Sequence, residues 1–287
     1  MKTLNTIKAL QQALQPLRRS GKTIAFVPTM GNLHEGHLAL VKKAKTVADI
    51  TLVSIFVNPL QFGPNEDLDK YPRTLHQDQQ KLTTIGADYL FTPTSDEIYP
   101  NGKAKQTQII VPGITERHCG QSRPGHFAGV ATVVCKLFNI VQPDTAIFGQ
   151  KDFQQLAVIR KMVGDLCLPV SIIGLETSRD SDGLALSSRN QYLTPEERQI
   201  AAILYKTLCD SRDIMLKEPE NWQKIAENAA KTLEDSGFRV DYFNICDAHS
   251  LTDPDAESCD FAILAAAFLG NTRLIDNVYF SLNRKNI

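Results

Sequence analysis

The chain has 287 residues, 43% of them apolar, and a formal net charge of −1. That length buries a sizeable core in one large domain or two modest ones. The near-neutral balance leaves no basic footprint for nucleic acid, and with no apolar run of about 18 residues no membrane span is expected.

The opening segment MKTLNTIKALQQALQPLRRSG spaces Leu4, Ile7, Leu10, Leu14 and Leu17 as an amphipathic helix does. Polar residues throughout it argue against the unbroken apolar core of a signal peptide. TIAFVPT (23–29) reads as a strand, and HLALVKKAKTVA (37–48) as a helix with Leu38, Val41, Ala44 and Ala48 on one face. ITLVSIFV (50–57) is the next strand, and RTLHQDQQKLTTIG (73–86) is a helix stopped by Gly86. ADYLFT (87–92) and TQIIV (107–111) read as strands. FAGVATVVCKLFNIV (127–141) is apolar on nearly all sides, which predicts a buried helix. TAIFG (145–149), the amphipathic FQQLAVIRKMVGDL (153–166) and VSIIGL (170–175) continue the alternation. Strands alternating with helices imply α/β architecture, a parallel sheet covered on both faces.

Beyond about residue 178 the pattern changes. SRDSDGLALSSRNQYLTPEER reads as a loop, then a helix start with Thr194 as cap, Pro195 in the first turn and Glu197 as the capping-box acid. Helices are expected over roughly 195–217 and 220–236. FRVDYFNIC (238–246), DFAILAAAFL (260–269) and TRLIDNVYFSL (272–282) follow as strands, the last two joined by a Gly270-Asn271 hairpin. The expected division is 1–178 and a smaller α+β domain over 179–287. The apolar 260–269 run suits either a core or a partner contact. Six scattered cysteines without a C-x-x-C pair read as reduced residues, mostly in the core, which favours the cytoplasm.

The chemistry concentrates in VPTMGNLHEGHLALV (27–41), where a strand turns into a helix. Ligands of open parallel sheets bind at the strands' carboxyl ends, near helix N-termini. Gly31 and Gly36 have P-loop spacing, but His37 and Leu38 follow where Lys and Ser/Thr are required. No G-x-G-x-x-G follows a strand. Two imidazoles at a helix N-terminus can donate hydrogen bonds to phosphate, one of them possessing a proton to give, and Gly36 admits a nucleotide close to the backbone. That suits nucleotidyl transfer at an α-phosphate, where positioning and charge neutralisation do most of the work. The competing readings are a helix cap with an exposed partner, or a zinc pair with no completing ligand.

Other stretches bear on the same crevice. FVNPLQFGPNEDLDKYPRT (56–74) combines Asn58, Gln61, Tyr71 and Arg73; as a plain surface loop it needs no function. In FGQKDFQQL (148–156), Lys151 suits a phosphate, although Asp152 and Gln155 also read as a capping box. LSSRN (186–190) offers two hydroxyls and a guanidinium that suit a triphosphate. Arg123 and His126 in RPGHFAGV (123–130) fit anion binding and helix capping equally.

These segments resemble the pantothenate synthetase (pantoate–beta-alanine ligase) family. The likeness runs through PTMGNLHEGHLALV, SIFVNPLQFGPNEDLDKYPRT, RPGHFAGVATVVCKLFNIVQPD, FGQKDFQQL and DGLALSSRNQYL, and more loosely to GNTRLIDN. The H-x-G-H element is shared with nucleotidylyltransferases and class I aminoacyl-tRNA synthetases.

The resemblance implies a cytoplasmic homodimer with a Rossmann-like N-terminal domain and a smaller C-terminal lid. It implies ATP-dependent ligation through pantoyl adenylate, with Mg²⁺ accompanying ATP and beta-alanine completing pantothenate. By motif, Met30, Gly31, Asn32, Leu33, His34, Glu35, Gly36 and His37 would line the ATP site, with His34 on phosphate and His37 as the acid. Gln61 and Gln155 would hold pantoate, with Asn58 nearby, and Gln61 would also meet beta-alanine. Gly149, Gln150, Lys151 and Asp152 would contact the nucleotide, Asp152 through ribose. Ser187, Ser188 and Arg189 would close on the phosphates, and Asp78 would lie near magnesium. Leu186 stands where many members have methionine, and Ser178 replaces an apolar residue that meets ATP through its backbone. His34, His37, Lys151 and Arg189 would be the catalytic set. The rivals are a nucleotidylyltransferase without the amine step, a nucleotide-binding regulator, and amino-acid ligation to RNA. A short, near-neutral chain disfavours the last.

Overall fold

The computed structural model describes residues 1–64 and 66–282. Its larger sheet contains β1 (Lys2–Leu4), β2 (Ile24–Thr29), β3 (Ile50–Ile55), β4 (Tyr89–Phe91), β5 (Thr145–Gly149) and β6 (Ser171–Leu175). The spatial order is β1-β4-β3-β2-β5-β6, every pair parallel. The helices of this part are α1 (Ile7–Arg19), α2 (Glu35–Val47), α3 (Leu75–Ile85), the short α4 (Ser95–Ile98) and α5 (Cys119–Ser122), α6 (His126–Val141) and α7 (Phe153–Asp165).

Strand periodicity sends alternate residues to opposite faces. Phe26 and Leu52 join one core with Leu10, Leu14, Phe138 and Ile159 from α1, α6 and α7. Ala25, Val27 and Val53 join the other, with Leu38, Val41 and Leu82 from α2 and α3. From β2 the chain winds outward to β3 and β4, then returns to add β5 and β6 on the other side. The order reverses between β2 and β5, and a crevice opens beyond their carboxyl ends.

After β6 come α8 (Pro195–Ile200), α9 (Ile203–Met215) and α10 (Trp222–Asp235), then an antiparallel sheet of β7 (Arg239–Asp247), β8 (Asp260–Leu269) and β9 (Thr272–Ser281). In β8, Phe261, Ile263, Ala265 and Ala267 pack with Leu204, Leu208 and Leu233 beneath α9 and α10. Ala262 and Leu264 instead join the core of the larger sheet. This strand is buried on both faces, so its unbroken apolar run is core within the chain.

Several expected elements differ. Leu4 belongs to β1, paired with Phe91, because Thr6 caps α1 by accepting the Ala9 N–H at 3.2 Å. TQIIV is no strand: the Ile109 N–H bonds the Thr132 hydroxyl at 2.9 Å and Ile110 is 68% exposed. Its alternation lays Ile109 and Val111 on the core without a pairing partner. The helix expected over 195–217 breaks between α8 and α9. The Thr194–Glu197 capping box forms as expected, with the Thr194 N–H on Oε2 at 2.8 Å and the Glu197 N–H on Oγ1 at 3.2 Å. Gly86 ends α3 in the left-handed conformation, φ 76°.

Candidate active site

A crevice of about 900 Å³ lies at the β2/β5 switch point. Its first wall is the turn after β2. Gly31 has φ 85° and Asn32 φ 50°, two successive left-handed residues. The buried Asp78 carboxylate holds this turn from behind, accepting the Asn32 N–H at 2.9 Å, the Leu33 N–H at 2.8 Å and the Thr74 hydroxyl at 3.2 Å. A Cβ on Gly31 would lie 3.2 Å from that carboxylate. Asp78, expected near magnesium, therefore lies outside the crevice with its oxygens taken up by the turn.

The turn delivers His34 as N-cap of α2 and His37 one turn later, ring centroids 4.0 Å apart. The His34 N–H donates to His37 Nδ1 at 3.3 Å, so the His37 proton resides on Nε2. The His34 ring faces the His37 N–H in a capping-box arrangement, but its buried Nδ1 closes no hydrogen bond. Burial, with the nearby charges of Lys151 and Lys81, pushes His34 down to about 4. Burial, then His34, Lys151 and Lys81, push His37 down to about 3. Both imidazoles are neutral at pH 7, so neither holds the charge expected of one of them. Both line the crevice as neutral hydrogen-bonding rings. Gly36 is needed for the rings themselves: a Cβ there would sit 2.9 Å from His34 Cε1.

The second wall follows β3. Asn58 is 1% exposed and fully engaged. Its Nδ2 donates to the Gly129 carbonyl and to Gln61 Oε1, each at 3.1 Å, while its Oδ1 accepts the Tyr99 hydroxyl at 2.7 Å and the Leu60 N–H at 3.3 Å. That fixes the Gln61 amide with Nε2 beside Met30 Sδ, 3.1 Å away. Asn58 thus orients Gln61 within the crevice lining. Arg123 and His126 neither cap α6, whose N-cap is Gly125, nor stand open for an anion. Arg123 forms a two-pronged pair with Glu66 at 2.7 and 2.5 Å and donates to the Gln61 carbonyl at 3.2 Å. His126 Nδ1 donates to that carbonyl at 2.8 Å. Together they clamp the loop that carries Gln61.

The third wall follows β5. The turn Gln150–Asp152 presents Lys151 and Asp152 to the crevice, and Gln155 joins from α7. The Asp152–Gln155 capping box does not form, because the Asp152 side chain makes no cap bond. Its carboxylate is left facing the crevice. Asn277 of β9 donates to the Gln150 carbonyl at 2.9 Å and the Lys151 carbonyl at 2.8 Å.

The loop 178–192 closes the remaining side. The Leu186 N–H bonds the Ser178 carbonyl at 2.9 Å, and Ser187 Oγ accepts the Arg189 N–H at 3.2 Å. The Ser188 hydroxyl donates to the Asn32 carbonyl at 3.2 Å. Arg189 pairs with Asp67 at 2.9 and 3.2 Å. Arg179 makes a two-pronged pair with the buried Asp276, at 2.5 and 2.9 Å, and lies 3.4 Å from the Tyr205 ring centre.

The crevice thus gathers Met30, His34, Gly36, His37, Asn58, Gln61, Gly149, Lys151, Asp152, Gln155, Ser178, Leu186, Ser187, Ser188 and Arg189. Gly31, Asn32, Leu33, Glu35 and Gln150 do not line it; the first three form the turn behind the histidines. Asp67, Asp276 and Asn277 were not anticipated. For the last two the available signal was an Asp-Asn pair inside an apolar strand, which must find buried partners.

A family model described as pantoate-beta-alanine ligase matches residues 2–279. The pantothenate synthetase of Marinobacter nauticus is 53% identical, covering 97% of this chain and 99% of its own. That of Pseudomonas fluorescens is 54% identical, with 99% of each covered. The crystal structure of the Thermus thermophilus pantothenate synthetase superposes with a TM-score of 0.89 at 42% identity, covering 97% of this chain and 99% of that one. The Francisella tularensis pantoate-beta-alanine ligase, crystallised with beta-gamma ATP and beta-alanine, gives 0.80 at 36% identity, with 97% of each chain covered.

Proposed function

The chain belongs to the pantoate–beta-alanine ligase family, and from that membership we propose how its crevice carries out the family's reaction. That reaction is the ATP-dependent condensation of pantoate with beta-alanine through pantoyl adenylate, giving pantothenate, AMP and pyrophosphate. The carrying observation is the convergence of two neutral imidazoles, Lys151, Arg189 and the oriented Gln61 on one crevice at the sheet's switch point.

A pantoate carboxylate and a triphosphate repel each other, and in-line attack on the α-phosphate needs that charge neutralised. Lys151 and Arg189 bring positive charge from two different segments of the lining. The α2 N-terminus adds its dipole and the two histidines add N–H donors. Neutral, half-buried imidazoles suit hydrogen bonding to phosphate oxygens better than outright proton donation, and an arriving triphosphate raises their proton affinity. Gln61, held by Asn58, and Gln155 are the donors for pantoate. The carboxylate oxygen bonds phosphorus as the bond to pyrophosphate breaks. The beta-alanine amine then bonds the acyl carbon and AMP leaves.

Among the described residues no group of three His, Cys, Asp or Glu side chains is arranged to hold a metal. Glu66 and Asp67 pair with arginines and Asp78 braces a turn. The donor set fits Mg²⁺ arriving on the triphosphate with most of its water, Asp152 and Glu176 being carboxylates in the crevice lining that no arginine among the described residues occupies. Bound there it would neutralise phosphate charge.

We take 1–178 as the ATP- and pantoate-binding domain and 179–287 as the smaller domain, with loop 179–193 as the lid. The separate core under α9 and α10 supports the division, and the Ser188 and Arg189 contacts support a closing role. Closure serves to keep water from the adenylate. Six unpaired cysteines accord with a reducing cytoplasm, and the reading includes a homodimer.

The test is pyrophosphate exchange into ATP with Mg²⁺ and pantoate and without beta-alanine. Exchange that requires pantoate is expected, and beta-alanine should then yield AMP and pantothenate. Folded protein that gives neither exchange nor turnover would overturn the reading.

A further inference from the structure

We propose that Asn277 is a positioning residue for Lys151, holding in place the turn from which that lysine meets the nucleotide phosphates. This rests on the functional reading above, which puts Lys151 on phosphate.

The Gln150–Asp152 turn carries a cation and an anion but has little of its own to fix it. It is a single 3₁₀ turn between β5 and α7, and its Asp152 side chain does not cap the helix. Both amide hydrogens of Asn277 meet it, one on the Gln150 carbonyl at 2.9 Å and one on the Lys151 carbonyl at 2.8 Å. Asn277 is 6% exposed, so these bonds are shielded from water. Two donors from one planar group on two consecutive carbonyls fix both the place and the tilt of the turn.

The same strand secures the other cation's loop. Asp276 accepts the Asn277 N–H at 2.8 Å and the Arg179 guanidinium through both oxygens. Arg179 opens the loop that carries Arg189. Asp276 and Asn277 therefore give Lys151 and Arg189 one rigid reference, although the two reach the crevice from different parts of the chain. Phosphoryl transfer depends on where charge stands, and a displacement of about 1 Å costs on the order of a hundredfold in rate.

The experiment is a double-mutant cycle on pantoate-dependent pyrophosphate exchange, using Asn277→Ala, Lys151→Ala and the pair. Exchange by the unmodified protein is the control that tests the functional reading separately. Asn277→Ala should lower the exchange rate at saturating ATP and pantoate by about tenfold to a hundredfold. In the Lys151→Ala background it should have almost no further effect, because its influence passes through that lysine. Asn277→Ser, which retains one donor, should recover part of the rate and guards against a fold lost in the alanine variant. Losses that multiply in the double variant would overturn the proposal, since Asn277 would then be acting independently of Lys151. Full exchange in Asn277→Ala would overturn it too.

Discussion

Asp78 and Leu33 stand 45 positions apart in the chain, yet the Asp78 carboxylate accepts the Leu33 N–H at 2.8 Å in a fully buried bond. Its second oxygen accepts the neighbouring Asn32 N–H at 2.9 Å. An acid that could have been a metal ligand is instead the brace of the turn that presents both histidines.

Asp78→Asn replaces one acceptor oxygen with an amide nitrogen and sets donor against donor. A buried donor left unsatisfied costs about 1–3 kcal/mol, so the urea midpoint should fall accordingly. Exchange activity should fall with it, and a large excess of Mg²⁺ should not restore it. Recovery by Mg²⁺ would return Asp78 to a metal-binding role.

The two histidines make stability fall in acid. Their ordinary value is 6.5, and in the folded chain they stand at about 4 and about 3. Below pH 6.5 the unfolded chain binds protons that the folded chain does not, so stability declines as pH falls from 6.5 toward 3. His126, pushed to about 4 by burial and by Arg123, adds to the same slope. His37→Gln should flatten the dependence, read as urea midpoints at about pH 7.5, 5.5 and 4.5. In the unliganded enzyme, neither His34 nor His37 should produce an inflection of kcat/KM near their ordinary value of 6.5.

Gly129 marks where α6 touches the turn bearing Gln61. An added Cβ would overlap the Leu60 carbonyl oxygen and lie 2.5 Å from its carbon, both main-chain atoms that cannot swing aside. Gly129→Ala should cost about 1–3 kcal/mol by overpacking. The Asn58 bond to the Gly129 carbonyl passes the shift to Gln61, so the KM for pantoate should rise more than that for ATP. Equal changes in both would count against Gln61 as a pantoate ligand.

Asp67 occupies the guanidinium that the reading gives to a triphosphate. The pair is partly exposed, at 34% for Arg189 and 25% for Asp67, so it is weak enough to yield. Asp67→Asn should lower the KM for ATP by about two- to fivefold, as expected for removing a partly exposed ionic competitor. Arg189→Ala should reduce exchange by about tenfold to a hundredfold, the worth of a charge-assisted hydrogen bond. An unchanged KM in Asp67→Asn would show that the carboxylate and ATP do not compete.

By itself the sequence determined whatever depends on near neighbours in the chain. Short apolar runs between helical stretches placed β2, β3, β5 and β6; a glycine ended α3; the Thr194–Glu197 pair opened α8; Gly270-Asn271 turned the last hairpin. That the histidine turn, Gln61, Lys151 and the Ser187–Arg189 loop share one crevice was legible from their motifs and from their places after strands of one sheet. Tertiary structure decided which of their neighbours line the crevice and which are taken up by protein partners. Asp78, Arg123, Asp67 and Asp276 carry charges that suit a site equally well in either role, and only the folded chain shows each with its partner. It also decided that His34 and His37 are neutral, since burial and the charges of Lys151 and Lys81 come from segments remote in sequence. A side chain's type fixes which bonds it is able to make; which of them it does make depends on long-range packing and the desolvation that comes with it.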